Sequence, residues 1–143
     1  MLQSDGYVVI LNEMVHNARI VPMDGRPFDG VPQWAGESRG RWEGDTLVVE
    51  TKNFARETAF MNGRTTASFH LIERFTRVDA DTLNYEFTVT DPAVWTRPWT
   101  AQIPMAKNSE PMYEYACHEG NYGLTSILAG ARAKEAGTKA GSK

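Results

Sequence analysis

The most reactive side chains in this sequence are three histidines, His16, His70 and His118. Each has a carboxylate close by in the chain, at Glu13, Glu73 and Glu119. Imidazoles joined by carboxylates are an ordinary ligand set for zinc, copper or non-haem iron. A divalent metal is therefore the cofactor such a site would take. The spacing is not itself a metal motif, because there is no His-x-His and the three lie near the start, middle and end. They converge only if distant strands line one cavity. The competing reading is three unrelated, partly exposed histidines.

A second set comprises His70, Glu73, Arg74 and Glu114, charges that interrupt apolar stretches, with Arg19 at the start of another such stretch. Buried charge is costly unless paired. Turned inward, these groups would pair and either bind a polar ligand or catalyse. His70 would then be a general base beside Glu73 or Glu114, and Arg74 would stabilise an anion. Turned outward, they are ordinary cross-strand ion pairs. A third set is aromatic: Trp34, Trp42, Trp95, Trp99, Tyr113, Tyr115 and Tyr122. Trp95 and Trp99 share a face if one unbroken strand carries both. Such rings stack on sugars and other flat ligands, or fill a core. Arg19, Trp95, Trp99 and Tyr115 are the candidate ligand contacts. Nucleophilic catalysis has little support. No Gly-x-Ser-x-Gly occurs, and Cys117 and His118, as neighbours on a strand, would face opposite ways.

The elements that must position these groups are mostly strands. Tyr7 to Leu11 is β-branched and apolar, and Ala18 to Pro22 reads as its return strand. Phe28 to Glu37 is rich in Gly and Pro, as expected of an ordered loop anchored by Trp34. Asp-Thr-Leu-x-x-Glu occurs twice, at Asp45 to Glu50 and at Asp81 to Glu86. Each copy sits between strand-like runs, which predicts two hairpins of one meander. Leu83, Tyr85, Phe87 and Val89 alternate with polar residues, so one face of that strand looks into a core. Its partner, Phe69 to Val78, carries charges on both faces. Trp95 to Met105 and Met112 to Cys117 read as further strands. The expectation is an antiparallel up-and-down meander of about eight strands, curled into a lipocalin-like barrel. One domain spans 1–136 and includes a helix over 124–136, with a disordered tail over 137–143.

Bulk properties narrow the classes. A chain of 143 residues suits one domain with its own core. Its net charge of −3, with scattered Lys and Arg, lacks the basic face that nucleic acid requires. The longest apolar run is far too short to span a bilayer. The single cysteine rules out an internal disulfide without fixing a compartment. Asp5 and Gly6 interrupt any signal-peptide core. Strand-like sequence follows Met1 almost at once, which leaves open whether the chain is an N-terminally truncated piece. An edge exposed by such a truncation would favour a homodimer through sheet pairing.

Several runs are specific enough to carry a resemblance: Tyr7 to His16, Asp24-Gly-Arg-Pro27, Gly40 to Val49, Glu73 to Asp79 and Thr96-Arg-Pro-Trp99. Together they resemble a family of uncharacterised proteins from soil and other environmental bacteria, over nearly the whole chain. Members of that family look longer at the N-terminus and often carry an export signal, which implies a periplasmic or secreted product when that stretch is present. The resemblance implies no activity. From the residues, the leading expectation is a β-barrel that binds a small, partly apolar molecule. The alternatives are an enzyme on the same scaffold, either a metal-dependent oxidoreductase or hydrolase or an acid–base catalyst, a carbohydrate-binding module using Trp95 and Trp99, and a purely structural or assembly domain.

Overall fold

The computed structural model describes residues 1–61, 63–116 and 119–140. The chain divides into two compact units, Met1–Met112 and Tyr113–Lys143. The first unit holds all the strands found among the described residues, and they are antiparallel. β1 (Leu2–Ser4), β2 (Tyr7–Leu11) and β3 (Ala18–Pro22) form one sheet in that order. The other large sheet contains β4 (Glu37–Glu43), β5 (Thr46–Lys52), β8 (His70–Arg77), β9 (Thr82–Thr90) and β10 (Trp99–Ala106). Its order is β10-β9-β8-β5-β4. A small hairpin, β6 (Ala59–Phe60) with β7 (Gly63–Arg64), is inserted between β5 and β8. The second unit holds α1 (Gly123–Ala140), which runs past Ala136 into the stretch expected to be a disordered tail.

The turn chemistry explains the registers. Asp5-Gly6 closes the β1–β2 hairpin, with Ser4 opposite Tyr7 and Gly6 at φ +73°. Gly44, at φ +59°, does the same between Glu43 and Thr46. Both are positions where a left-handed residue is required and glycine supplies it. The two Asp-Thr-Leu-x-x-Glu copies both follow hairpin turns, after β4 and after β8. Their leucines, Leu47 and Leu83, join the same core cluster.

Alternation then sorts the faces. Leu71, Glu73 and Phe75 of β8 are buried, while His70, Ile72 and Arg74 are only half-covered on the other side. The inward faces of both sheets supply the first core cluster: Val8, Ile10, Val21, Leu47, Val49 and Phe75, backed by Met23, Leu83 and Tyr85. Burying a side chain of this size stabilises by roughly 1.5–3 kcal/mol. A second cluster joins Phe69, Leu71 and Val89 to Phe54, Phe60, Phe87, Trp95 and Trp99.

Three expectations change. Trp95 precedes the strand rather than lying in it. Asp91 folds the chain into a tight turn, its carbonyl accepting from Val94 N at 3.0 Å and Trp95 N at 2.9 Å. Its buried carboxylate also accepts from Thr66 Oγ1 at 2.7 Å, so β10 starts only at Trp99. No strand covers Met112 to Ala116, where Glu110 and Pro111 precede the run and no partner strand pairs with it. The loop before β4 is not anchored by Trp34, which is 66% exposed; the Glu37 carboxylate ties it down instead.

No ladder joins β3 to β4, or β1 to β10, among the described residues. The first of these boundaries is held by side chains. A Cβ on Gly40 would lie 2.8 Å from Val21 Cγ1 and collide with Met23 Sδ, so the bare Gly40 lets β3 approach β4. Gly40→Ala is expected to lower unfolding stability by about 1–3 kcal/mol through overpacking, measured by urea denaturation. An unchanged midpoint would show that β3 does not press on Gly40.

Candidate functional site

The charged centre of the first unit lies between its two sheets. Alternation turns Glu73 inward between Leu71 and Phe75, and Arg19 reaches it from β3, where it sits opposite Ile10. Arg19 Nη1 donates to Glu73 Oε2 at 2.6 Å, and Nη2 donates to Oε1 at 2.9 Å. Tyr85 Oη donates to the same Oε1 at 2.9 Å. The side chains of Arg19 and Glu73 are 13% and 4% exposed. A forked guanidinium–carboxylate pair is among the few arrangements that tolerate such burial. Burial raises the Tyr85 hydroxyl pKa, and the Glu73 charge raises it further. Tyr85 therefore stays a proton donor. Burial opposes the Arg19 charge, but the Glu73 bond and charge outweigh it and leave the guanidinium pKa raised.

Arg19 also lines a cleft of about 310 Å³ between β3 and the start of β4, together with Pro22, Arg26, Asp29, Glu37 and Arg39. Glu37 is buried and accepts from Asp29 N at 2.7 Å, Gly30 N at 3.2 Å and Asn53 Nδ2 at 2.6 Å. Arg39 also donates to it. Burial pushes the Glu37 carboxyl up, but these donors, led by Asp29 N, bring it below the ordinary carboxylate range. Arg39 extends along the loop to the carbonyls of Arg26 and Pro27, with its guanidinium 5.0 Å from the Phe28 ring centre.

A second, open cleft of about 900 Å³ adjoins the first, with Ala18 lining both. Its other walls include Met14, Val15, His16 and Trp34. Met14, Val15 and Trp34 are all largely exposed. Val15 and His16 have φ of +60° and +51°. For a β-branched residue this is a strained conformation, costing on the order of 1–3 kcal/mol.

The residues singled out from sequence are thus only partly brought together. Arg19 and Glu73 meet directly. His70 and Arg74 lie on the opposite face of β8 from Glu73, so neither forms a pair with it. His70 Nε2 is 2.9 Å from Glu50 Oε1, and Arg74 donates to Glu43 at 2.8 Å. The Lys52 bond, foremost, holds the Glu50 carboxyl below its ordinary value. Trp95 and Trp99 meet edge to face, with ring centres 5.8 Å apart, inside the aromatic cluster. Glu114 and Tyr115 belong to the second unit. His16 is exposed in a short turn, Met14–His16. His118 lies outside the described residues. Among the described residues, no three His, Cys, Asp or Glu side chains gather as a metal site. No helix among them is long and apolar enough to cross a membrane. Sequence reasoning passed over Glu37, Arg39 and the hydroxyl of Tyr85. For Tyr85 the signal was its place on an apolar face, where a buried hydroxyl needs a partner.

Two outcomes test these arrangements. Arg19→Met leaves Glu73 buried without its cation and should destabilise by about 3–5 kcal/mol. Arg19→Met with Glu73→Leu should recover most of that loss in urea midpoints; equal losses would show that the pair is not coupled. Because the folded Glu37 carboxyl is depressed, its contribution is present above the unfolded value of about 4.3 and is lost as pH falls through the folded value. Glu37→Gln should be about 1–3 kcal/mol less stable at pH 7, with a shallower acid-side fall in stability. Parallel stability–pH curves would contradict this. In comparisons with known proteins, no family model, no curated protein and no solved structure matches the chain.

Proposed function

We propose that the first unit is a small-molecule-binding domain with the ligand in the cleft between β3 and β4. The observation that carries this reading is Arg19. Its guanidinium is fixed by a buried carboxylate, and the residue forms part of the wall of a cleft of about 310 Å³. That volume falls at the lower end for ligand pockets. A polar group held rigidly at a pocket wall is what orients a ligand.

In this reading the two sheets are the halves of an incomplete lipocalin-like barrel. Strand order supports it. Setting aside the β6–β7 hairpin, the strands follow one another as β1-β2-β3 and β4-β5-β8-β9-β10, the order of an up-and-down meander. Shared core residues from both sheets support it as well. An acid–base enzyme on this scaffold is the weaker reading, because His70 and Glu73 occupy opposite faces of β8.

The test is a titration of ¹⁵N-labelled protein with a panel of small polar and amphiphilic compounds, following the Arg19 Nε–H signal. At least one compound class should move that signal. The double variant Arg19→Met with Glu73→Leu should weaken its binding by about tenfold or more, equivalent to about 1.4 kcal/mol. A panel that leaves Arg19 unmoved, or binding unchanged in the folded double variant, would overturn the reading.

A further inference from the structure

Resting on that reading, we infer that the ligand is a neutral amphiphile. An acceptor oxygen, such as an ester or amide carbonyl, meets Arg19, and an apolar tail crosses Ala18 to lie against Met14, Val15 and Trp34.

The head group follows from charge. Each guanidinium of the cleft already has an acid: Arg19 has Glu73, Arg26 has Asp24 and Arg39 has Glu37. Asp29, 4.0 Å from Arg39, adds a further negative charge. A carboxylate or phosphate ligand would find no surplus cation and would have to displace an internal acid from its fork. What Arg19 still offers is hydrogen bonding. A guanidinium has five N–H donors, and Glu73 engages one on each Nη. Glu73 does not engage the Nε–H. An uncharged acceptor can take this donor without disturbing the ion pair.

The tail follows from what adjoins the head. Ala18, which has only a methyl group, lines both clefts. Beyond it, Met14, Val15 and Trp34 are 66%, 67% and 66% exposed. Their apolar surface gains by covering. Val15 and His16, both with left-handed backbone, line this second cleft. The polar wall and the apolar wall thus form one continuous track, matched by a molecule that is polar at one end.

Methyl hexanoate and hexanoate provide matched probes, differing in head-group charge and sharing one tail. Chemical-shift titration of the full chain should show methyl hexanoate moving both the Arg19 Nε–H and the Trp34 indole N–H, the latter assigned with Trp34→Phe. Its affinity should exceed that of hexanoate by about tenfold. Ala18→Trp, an exposed change at the start of β3, should block the junction and reduce ester affinity by about tenfold while leaving the fold intact. Tighter binding of hexanoate would overturn the neutral head group. Movement at Arg19 without movement at Trp34, or full affinity in Ala18→Trp, would overturn the tail path. If neither probe moves Arg19 but a panel compound does, the amphiphile class falls and the binding cleft stands. If nothing moves Arg19, both fall together.

Discussion

The Arg19–Glu73 pair is the constraint around which the first unit is arranged. It is the place where two sheets with no shared ladder are joined by strong, directional bonds. Burying a carboxylate at this depth is costly without a cation and further donors, and the fold provides Arg19 from one sheet and Tyr85 from the other. Tyr85 in turn stacks on Phe75 with ring centres 4.9 Å apart, so the polar centre is clamped by the apolar core. A hydrophobic trio in the same place would pack as well.

Glu37 plays the matching part at the surface of the same cleft. It gathers backbone N–H groups from the preceding loop, an amide from Asn53 and the Arg39 guanidinium. The long segment between β3 and β4 is also tied at Gln33, which bridges to Phe54 through backbone bonds with Asn53 and Ala55. Two buried carboxylates therefore act beside the cleft, Glu73 by fixing Arg19 and Glu37 by fixing the loop before β4.

Much of the fold was legible from sequence, for identifiable reasons. Alternation at Leu83, Tyr85, Phe87 and Val89 named the inward face of β9 correctly, because a half-buried strand has a period of two. The paired Asp-Thr-Leu-x-x-Glu runs marked real hairpins. The failures have equally local causes. At Asp91 a side chain and a carbonyl capture nearby N–H groups, and this outweighs the strand propensity of Trp95. Asp5-Gly6 was read only as an interruption of an apolar run, although Asp-Gly between short strands is itself a hairpin signal. In the candidate site, Arg19 and Glu73 could be marked as interior candidates because they interrupt apolar strands. Their pairing could not, since it depends on how one sheet lies over the other. His70 and Arg74 show the other side of this: charge in an apolar run does not reveal which face it occupies.

The boundary between β3 and β4 has a mechanical meaning as well. Elsewhere in the meander, neighbouring strands are stitched by backbone hydrogen bonds, and separating them would break a ladder. Here no ladder is found among the described residues, and Val21 and Met23 pack against Gly40. Parting this seam breaks no ladder found among the described residues. Its stiffness therefore depends on side-chain packing, so substitutions at Val21, Met23 or Gly40 would tune it without removing a ladder bond.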